Sequence, residues 1–220
     1  RVRDGCRKAA AAAIDGRVAD CIHNADEIIK KARELSDKGA RILVFPELSI
    51  TGYTCQDLFW QETLLNSARE QLLRAAEELK DVPGLIFAGL PYAYRGKLYN
   101  VAAAINQGEI LGLVPKEYLP NYGEFYEARH FSSGKNLWGY TELGGKQVPV
   151  MEKLLFSCRE MPGLTVAAEI CEDLWAAAPP SVAHAMAGAN VIVNLSASDE
   201  TVGQADYRRE LVKSPSARLL

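Results

Sequence analysis

Seven short apolar runs, each too short for a helix that spans a core, set the architecture available to this chain. They lie at 8–14, 42–46, 85–90, 98–105, 109–114, 164–170 and 191–195. Segments of helical period separate several of them. Asn24 stands where a helix cap is expected, ahead of a run to Lys38 that places Ile28, Ala32 and Leu35 on one face. Gly39 closes that helix, and Arg41–Phe45 reads as a strand stopped by Pro46. Lys8–Ile14 then reads as a central strand in a β-α-β opening, although Ala9–Ala13 alone would suit a helix. Leu58, Leu65, Leu72 and Leu79 recur every seven residues behind Asp57, a second expected cap, and predict one long core-covering helix. Asn106-Gln107-Gly108 reads as a hairpin turn. A short helix is expected around Val182–Ala187, and a last one over Ala205–Leu220, kinked or interrupted at Pro215. Residues 116–147 show no period and read as one long aromatic-rich loop. Mixed hairpin and crossover connections point to an α/β layered fold in a single domain.

Charge and cysteine usage exclude several classes. A net charge of -3 gives no reason to expect nucleic acid or an anionic membrane as partner. No apolar run approaches the roughly 18 residues of a membrane helix. The first residues, Arg1 to Cys6, carry no hydrophobic secretory core and no Met, so we expect no signal peptide and expect residues to precede Arg1. The five cysteines (Cys6, Cys21, Cys55, Cys158, Cys171) are odd in number, widely spaced and without a CxxC pair. Neither a disulfide framework nor a metal site is expected, and a reducing cytoplasm is the expected location.

One cysteine stands apart. Cys171 ends an apolar run and is followed by Glu172, Asp173, Leu174 and Trp175. Acids beside a thiol raise its pKa unless a cation offsets them, so this is a poor core position and a better nucleophile position. Two further groups occupy the same kind of place. Glu47 follows Phe45-Pro46, where desolvation suits a general base; its plainer reading is a loop acid capping a helix. Lys116 follows Val114-Pro115, where a cation can stabilise an oxyanion; its plainer reading is a solvated lysine. Strand exits are where α/β sheets place their sites. His23, His130 and His184 lie outside such exits, which disfavours a cysteine–histidine pair.

Glu, Lys and Cys in that chain order resemble the nitrilase, or carbon–nitrogen hydrolase, superfamily. Four blocks narrow the likeness: Val44–Cys55, Lys116–Phe131, Glu169–Trp175 and Asn194–Glu200 with Tyr207-Arg208-Arg209. Together they are similar to the glutaminase domains of the glutamine-dependent NAD+ synthetase family, from about Lys8 to the end. The resemblance implies a four-layer α-β-β-α sandwich, incomplete at its C-terminus, and hydrolysis of the glutamine side-chain amide. It implies Cys171 as nucleophile, Glu47 as base and Lys116 as oxyanion stabiliser, joined by a backbone N–H such as that of Glu172. Tyr53 and Tyr122 would shape the pocket, Glu172 and Ser198 would bind the two ends of glutamine, and Glu124 or Glu127 would be a supporting carboxylate. Lys116 with Arg208 or Arg209 would neutralise Glu172 and Asp173. The domain itself needs no cofactor. ATP and Mg2+ belong to a synthetase domain expected beyond Leu220, which would use the ammonia to amidate deamido-NAD+. A homo-oligomer is also implied. Two alternatives stay open: another carbon–nitrogen hydrolase with a different amide or nitrile substrate, and a folded but idle assembly module.

Overall fold

The computed structural model describes residues 8–199 and 201–219; Cys6, Glu200 and Leu220 lie outside that range. The chain builds ten strands and four α-helices among these residues. They are β1 (Lys8–Ala11), α1 (Cys21–Asp37), β2 (Ala40–Val44), α2 (Glu62–Glu78), β3 (Leu85–Tyr94), β4 (Lys97–Asn106) and β5 (Glu109–Pro115). There follow β6 (Trp138–Leu143), β7 (Lys146–Met151), β8 (Phe156–Ser157), β9 (Thr165–Ile170), α3 (Pro180–Met186), β10 (Val191–Leu195) and α4 (Gln204–Leu219). One mixed sheet runs in the order β1-β2-β3-β4-β5-β7-β6, and a second runs β10-β9-β8.

The two sheets lie face to face. Ile42, Phe87, Ala102, Ala104 and Val114 of the large sheet share a core with Val166, Ala168, Ile170, Val193 and Leu195 of the small one. Small residues at 102 and 104 let the sheets approach while Phe87 fills the gap against Phe156, their rings 5.6 Å apart. On the other face, α1 and α2 bury Ile28, Ala32, Ala68 and Leu72 against Leu43, Ile86 and Leu90. Helix α3 packs on β9 of the small sheet, and α4 packs against α3. The result is the expected α-β-β-α sandwich. No helix among the described residues is long and apolar enough to cross a membrane.

Several expectations about elements are corrected. β1 is an edge strand of four residues rather than a central one. Asp20, not Asn24, caps α1, accepting the His23 N–H at 3.1 Å. Asn24 is fully buried inside the first turn, where it bonds the Arg17 N–H and carbonyl (2.7 and 2.8 Å) and the Ile50 carbonyl at 3.0 Å. The leucine heptad is split. Residues Gln56–Trp60 form a separate 3-10 turn, so Leu58 is exposed, and α2 begins only at Glu62 with Leu72 and Leu79 buried. Asp57 caps nothing; it takes Arg129 and His130. The supposed loop at 116–147 contains β6 and the start of β7, a hairpin turning at Gly144-Gly145 with φ of 60° and 75°. α4 continues past Pro215, which therefore does not interrupt it.

Asn24 ties the entry of α1 to the segment after Glu47, so it links the outer helix to the chemistry. Replacing it with Ala leaves the buried Ile50 carbonyl without that donor and removes the part-buried bonds to the Arg17 N–H and carbonyl, of which the carbonyl keeps the Asp20 N–H. Asn24→Ala should lower stability by about 2 kcal/mol in urea denaturation. A loss below roughly 0.5 kcal/mol, the range of ordinary surface changes, would show that the tie carries little.

Candidate active site

Four strand exits converge on one buried cluster. β2 runs on through Phe45, whose N–H still bonds Phe87 at 2.9 Å. Pro46 has no N–H to continue the ladder. The chain turns sharply there, with Leu48 at φ 51°. This turn lies directly on β3: a Cβ at Gly89 would come within 2.3 Å of the Leu48 nitrogen and 2.9 Å of the Glu47 carbonyl carbon. Gly89 answers with its own carbonyl to Ile50 at 3.0 Å and its N–H to Ser49 Oγ at 3.1 Å. The Glu47 backbone is thereby fixed against the sheet.

Lys116 follows β5 and remains pinned to β4 through its N–H on the Asn100 carbonyl, at 2.8 Å. Its ammonium is fully buried between two carboxylates, 2.6 Å from Glu47 Oε1 and 2.7 Å from Glu127 Oε1. Asn100 Nδ2 adds a bond to Glu47 Oε1 at 2.8 Å, and the Ala197 N–H reaches Glu47 Oε2 at 3.2 Å. Tyr53 donates its hydroxyl to Glu127 Oε1 at 2.7 Å. The structure thus selects Glu127 over Glu124, which is exposed. Burial alone would weaken the Lys116 proton, but Glu47 and Glu127 outweigh it and hold the ammonium more firmly charged than a free lysine. Burial raises the Glu127 pKa, with Lys116 opposing and Glu47 reinforcing. Burial and the Glu127 charge also raise that of Tyr53.

Cys171 sits on the next exit, after β9, with φ 42°, a left-handed conformation that a side chain other than glycine adopts at a cost. It opens a 3-10 turn over Cys171–Trp175 and is buried. Ser196, just past β10, places its hydroxyl 3.2 Å from Cys171 Sγ. Burial first, then the Glu47 charge, pushes the thiol up to about 12, with Lys116 pulling the other way. The resting side chain at neutral pH is therefore a thiol that needs a base. Glu47 is the carboxylate whose charge it feels most.

The remaining expected residues divide. Tyr122 and Glu172 meet at an exposed rim, hydroxyl to carboxylate at 2.9 Å; burial and Glu172 bring that phenol to about 12. Ser198 lies 3.4 Å from Ser196 and accepts from Arg208 at 2.9 Å. The expected neutralisation of Glu172 and Asp173 forms only in part: among the described residues no ion pair joins either acid to Lys116, Arg208 or Arg209, although the Lys116 charge does favour the ionised Asp173. Arg208 also takes the Asp199 carbonyl, and Arg209 takes Asp206. Asp173 is satisfied by backbone N–H groups instead. His23 bonds the Asp15 carbonyl, His130 bonds Asp57, and His184 is buried in α3, so none forms a pair with Cys171. Two members of the cluster escaped the sequence reading. Asn100 was signalled only as a polar residue inside an apolar run, and Ser196 carried no signal beyond its place after a strand.

This arrangement joins a carboxylate, a buried ammonium and a thiol with a hydroxyl at the sulfur, a combination that suits attack on a carbonyl carbon. A surface cavity of about 340 Å³ lined by Trp60, Tyr94 and Lys97 lies apart from it. A small one beside the cluster includes Tyr53, Gln56, Tyr126 and Glu127.

Comparison with known proteins bears on this geometry. Residues 8–214 match the carbon-nitrogen hydrolase family model. The chain is 41% identical over 213 residues to the glutamine-dependent NAD(+) synthetase of Mycobacterium tuberculosis strain H37Rv, covering 93% of this chain and 31% of that protein. A crystal structure of a glutamine-dependent NAD(+) synthetase from Cytophaga hutchinsonii superposes with a TM-score of 0.82 at 28% identity, over 94% of this chain and 33% of that one. The NitN amidase from Neterenkonia sp. AN1 shares the fold, with a TM-score of 0.68 at 23% identity, over 94% of this chain and 73% of the amidase. The chain spans about a third of the length of the synthetases it matches.

Replacing Lys116 with Met leaves two buried carboxylates facing each other. We expect Lys116→Met to lose about 3–5 kcal/mol at pH 8. With the lysine gone, the Glu127 pKa rises further, so the folded variant binds a proton that the unfolded chain releases. Its stability should therefore recover as pH falls from 8 toward 5 and decline as pH rises, read by denaturant titration at each pH. A deficit that does not change with pH would contradict this account of the pair.

Proposed function

The chain belongs to the carbon–nitrogen hydrolase family, and from that membership and the cluster above we propose that it hydrolyses the side-chain amide of glutamine through a cysteine thioester. The observation that carries the reading is the buried Glu47–Lys116–Glu127 cluster set against Cys171, with Glu47, Lys116 and Cys171 each on a strand exit and Glu127 reaching in from the loop after β5.

Glu47 accepts the thiol proton as Sγ bonds to the amide carbon. The carbonyl oxygen, now an oxyanion, is stabilised by the Lys116 ammonium. The Glu172 N–H adds to this from the first turn of a 3-10 segment, where amides have no intrahelical acceptor. Glu47 returns the proton to the departing nitrogen, the C–N bond breaks, and ammonia leaves. A water then gives its proton to the same carboxylate and attacks the thioester. The C–S bond breaks, the thiol regains its proton, and glutamate is released. Glu127 anchors Lys116 and keeps a second buried oxygen, Oε2, without a protein partner among the described residues, as an acceptor for the amide N–H. At the rim, Glu172 suits the α-ammonium of glutamine, with Tyr122 holding it. Ser198, backed by Arg208, suits the α-carboxylate.

In a longer protein of the kind it resembles, the ammonia would serve ATP-dependent amidation of deamido-NAD+. ATP and Mg2+ would belong to the synthetase part of such a longer protein. No step above runs through either. A cytoplasmic, homo-oligomeric protein is part of the same proposal.

Incubation with 6-diazo-5-oxo-norleucine, an electrophile shaped like glutamine, should add one mass increment that maps to Cys171 and is absent from Cys171→Ala. Glu47→Gln should slow thioester formation by about 10²–10⁴. Glutamine left untouched while simple uncharged amides are cleaved would move the chain to the amidase reading.

A further inference from the structure

Asp173 is an unused buried acid two residues beyond the nucleophile. It is 1% exposed, and its carboxylate makes three hydrogen bonds, all to backbone. Oδ1 accepts from the Glu117 N–H at 3.1 Å and from the Tyr118 N–H at 2.8 Å. Oδ2 accepts from the Ile170 N–H at 3.0 Å. The first two amides directly follow Lys116, and the third directly precedes Cys171. One rigid group thus joins the exit of β5 to the exit of β9.

The bond to Ile170 alone would be an ordinary local cap of a 3-10 turn. The other two cross 55 and 56 residues of sequence to a loop on the opposite sheet. No side chain is involved in any of the three, so the carboxylate reads only where the two main chains run. Burial opposes its charge and pushes the carboxyl up to about 7, while the amides of Tyr118 and Ile170 and then the Lys116 charge favour the ionised form.

We propose that Asp173 is a positioning residue: it sets the spacing between the Lys116 ammonium and the Cys171 sulfur by holding the backbone after one and before the other. It touches neither substrate nor reacting atom. The Cys171 backbone is already in an unfavourable left-handed conformation, and Asp173 supports it by tying the turn to the Glu117 and Tyr118 backbone outside it.

This inference rests on Cys171 and Lys116 acting together as proposed above, but its test does not need glutamine. Asp173→Asn is nearly isosteric. In either orientation of the amide, its NH2 faces a backbone N–H that the carboxylate accepted, so one side of the tie is lost. Two rates are read: alkylation of Cys171 by iodoacetamide, followed by mass mapping of its peptide, and kcat and KM for the amide substrate. Small displacements of a reacting pair can cost about 10²-fold. We expect alkylation and kcat each to fall by at least about tenfold, with KM within roughly twofold, in a variant that remains folded. A folded Asp173→Asn with wild-type alkylation and kcat would overturn the proposal. A wrong substrate assignment would abolish the kcat readout and leave the alkylation comparison standing. Should Asp173→Asn not fold, amide exchange in the unaltered protein decides. The Glu117, Tyr118 and Ile170 amides should be protected and open together. Independent, faster exchange at Glu117 and Tyr118 would refute the tie.

Discussion

A lysine ammonium held between two carboxylates in the dry centre of the molecule is the interaction on which the site depends. Lys116, Glu47 and Glu127 are all buried, and each would be costly to bury alone. Together they are tolerable because the charges meet at 2.6 and 2.7 Å, Asn100 and Tyr53 add donors to the same two oxygens, and the Ala197 N–H serves Glu47 Oε2. Such a cluster contributes little net stability compared with a well-packed apolar core. Its value is geometric and electrostatic: it places a carboxylate and a buried ammonium close enough to a thiol for both charges to act on it.

The sandwich is arranged to make that meeting possible. Two sheets packed through small residues bring the exits of β2 and β5 against those of β9 and β10. Each exit is then pinned from a different side. Gly89 admits the Glu47 turn onto β3, Asn24 holds the segment after it, and Asn100 fixes Lys116 from β4. Asp173 spans the two sheets at the level of the chemistry. Strain at Leu48 and Cys171 is confined to these turns, where surrounding bonds over-determine the backbone.

Much of this was legible before any coordinates. The three reactive groups could be read because each follows an apolar run, and a strand's end is an informative place for a Glu, a Lys or a Cys. The resemblance to a known family added the layer order of the sandwich. What failed to show had physical causes. The leucine heptad looked like one helix because periodicity does not register the break near Gln61, which leaves Leu58 in solvent. β6 and β7 were hidden by Trp138, Tyr140 and Pro149, whose alternation is interrupted, although the Gly144-Gly145 pair was a usable hairpin signal. Glu124 and Glu127 stood equal because an aperiodic loop has no facing rule; only Tyr53 and Lys116, distant in sequence, choose between them. Asp173 looked like a charge in need of a cation because backbone amides leave no trace in a sequence.

The account holds that Cys171 rests as a thiol and that its proton moves only when Glu47 takes it. The most direct test is infrared detection of the cysteine S–H stretch at neutral pH, with the Cys171 band assigned by its disappearance in Cys171→Ala. A band from Cys171 that persists through neutral pH and fades only under strongly alkaline conditions is the predicted result, in line with a thiol pushed up to about 12. No Cys171 band at neutral pH would mean that the sulfur is already a thiolate paired with Lys116, and the role assigned to Glu47 would have to be abandoned.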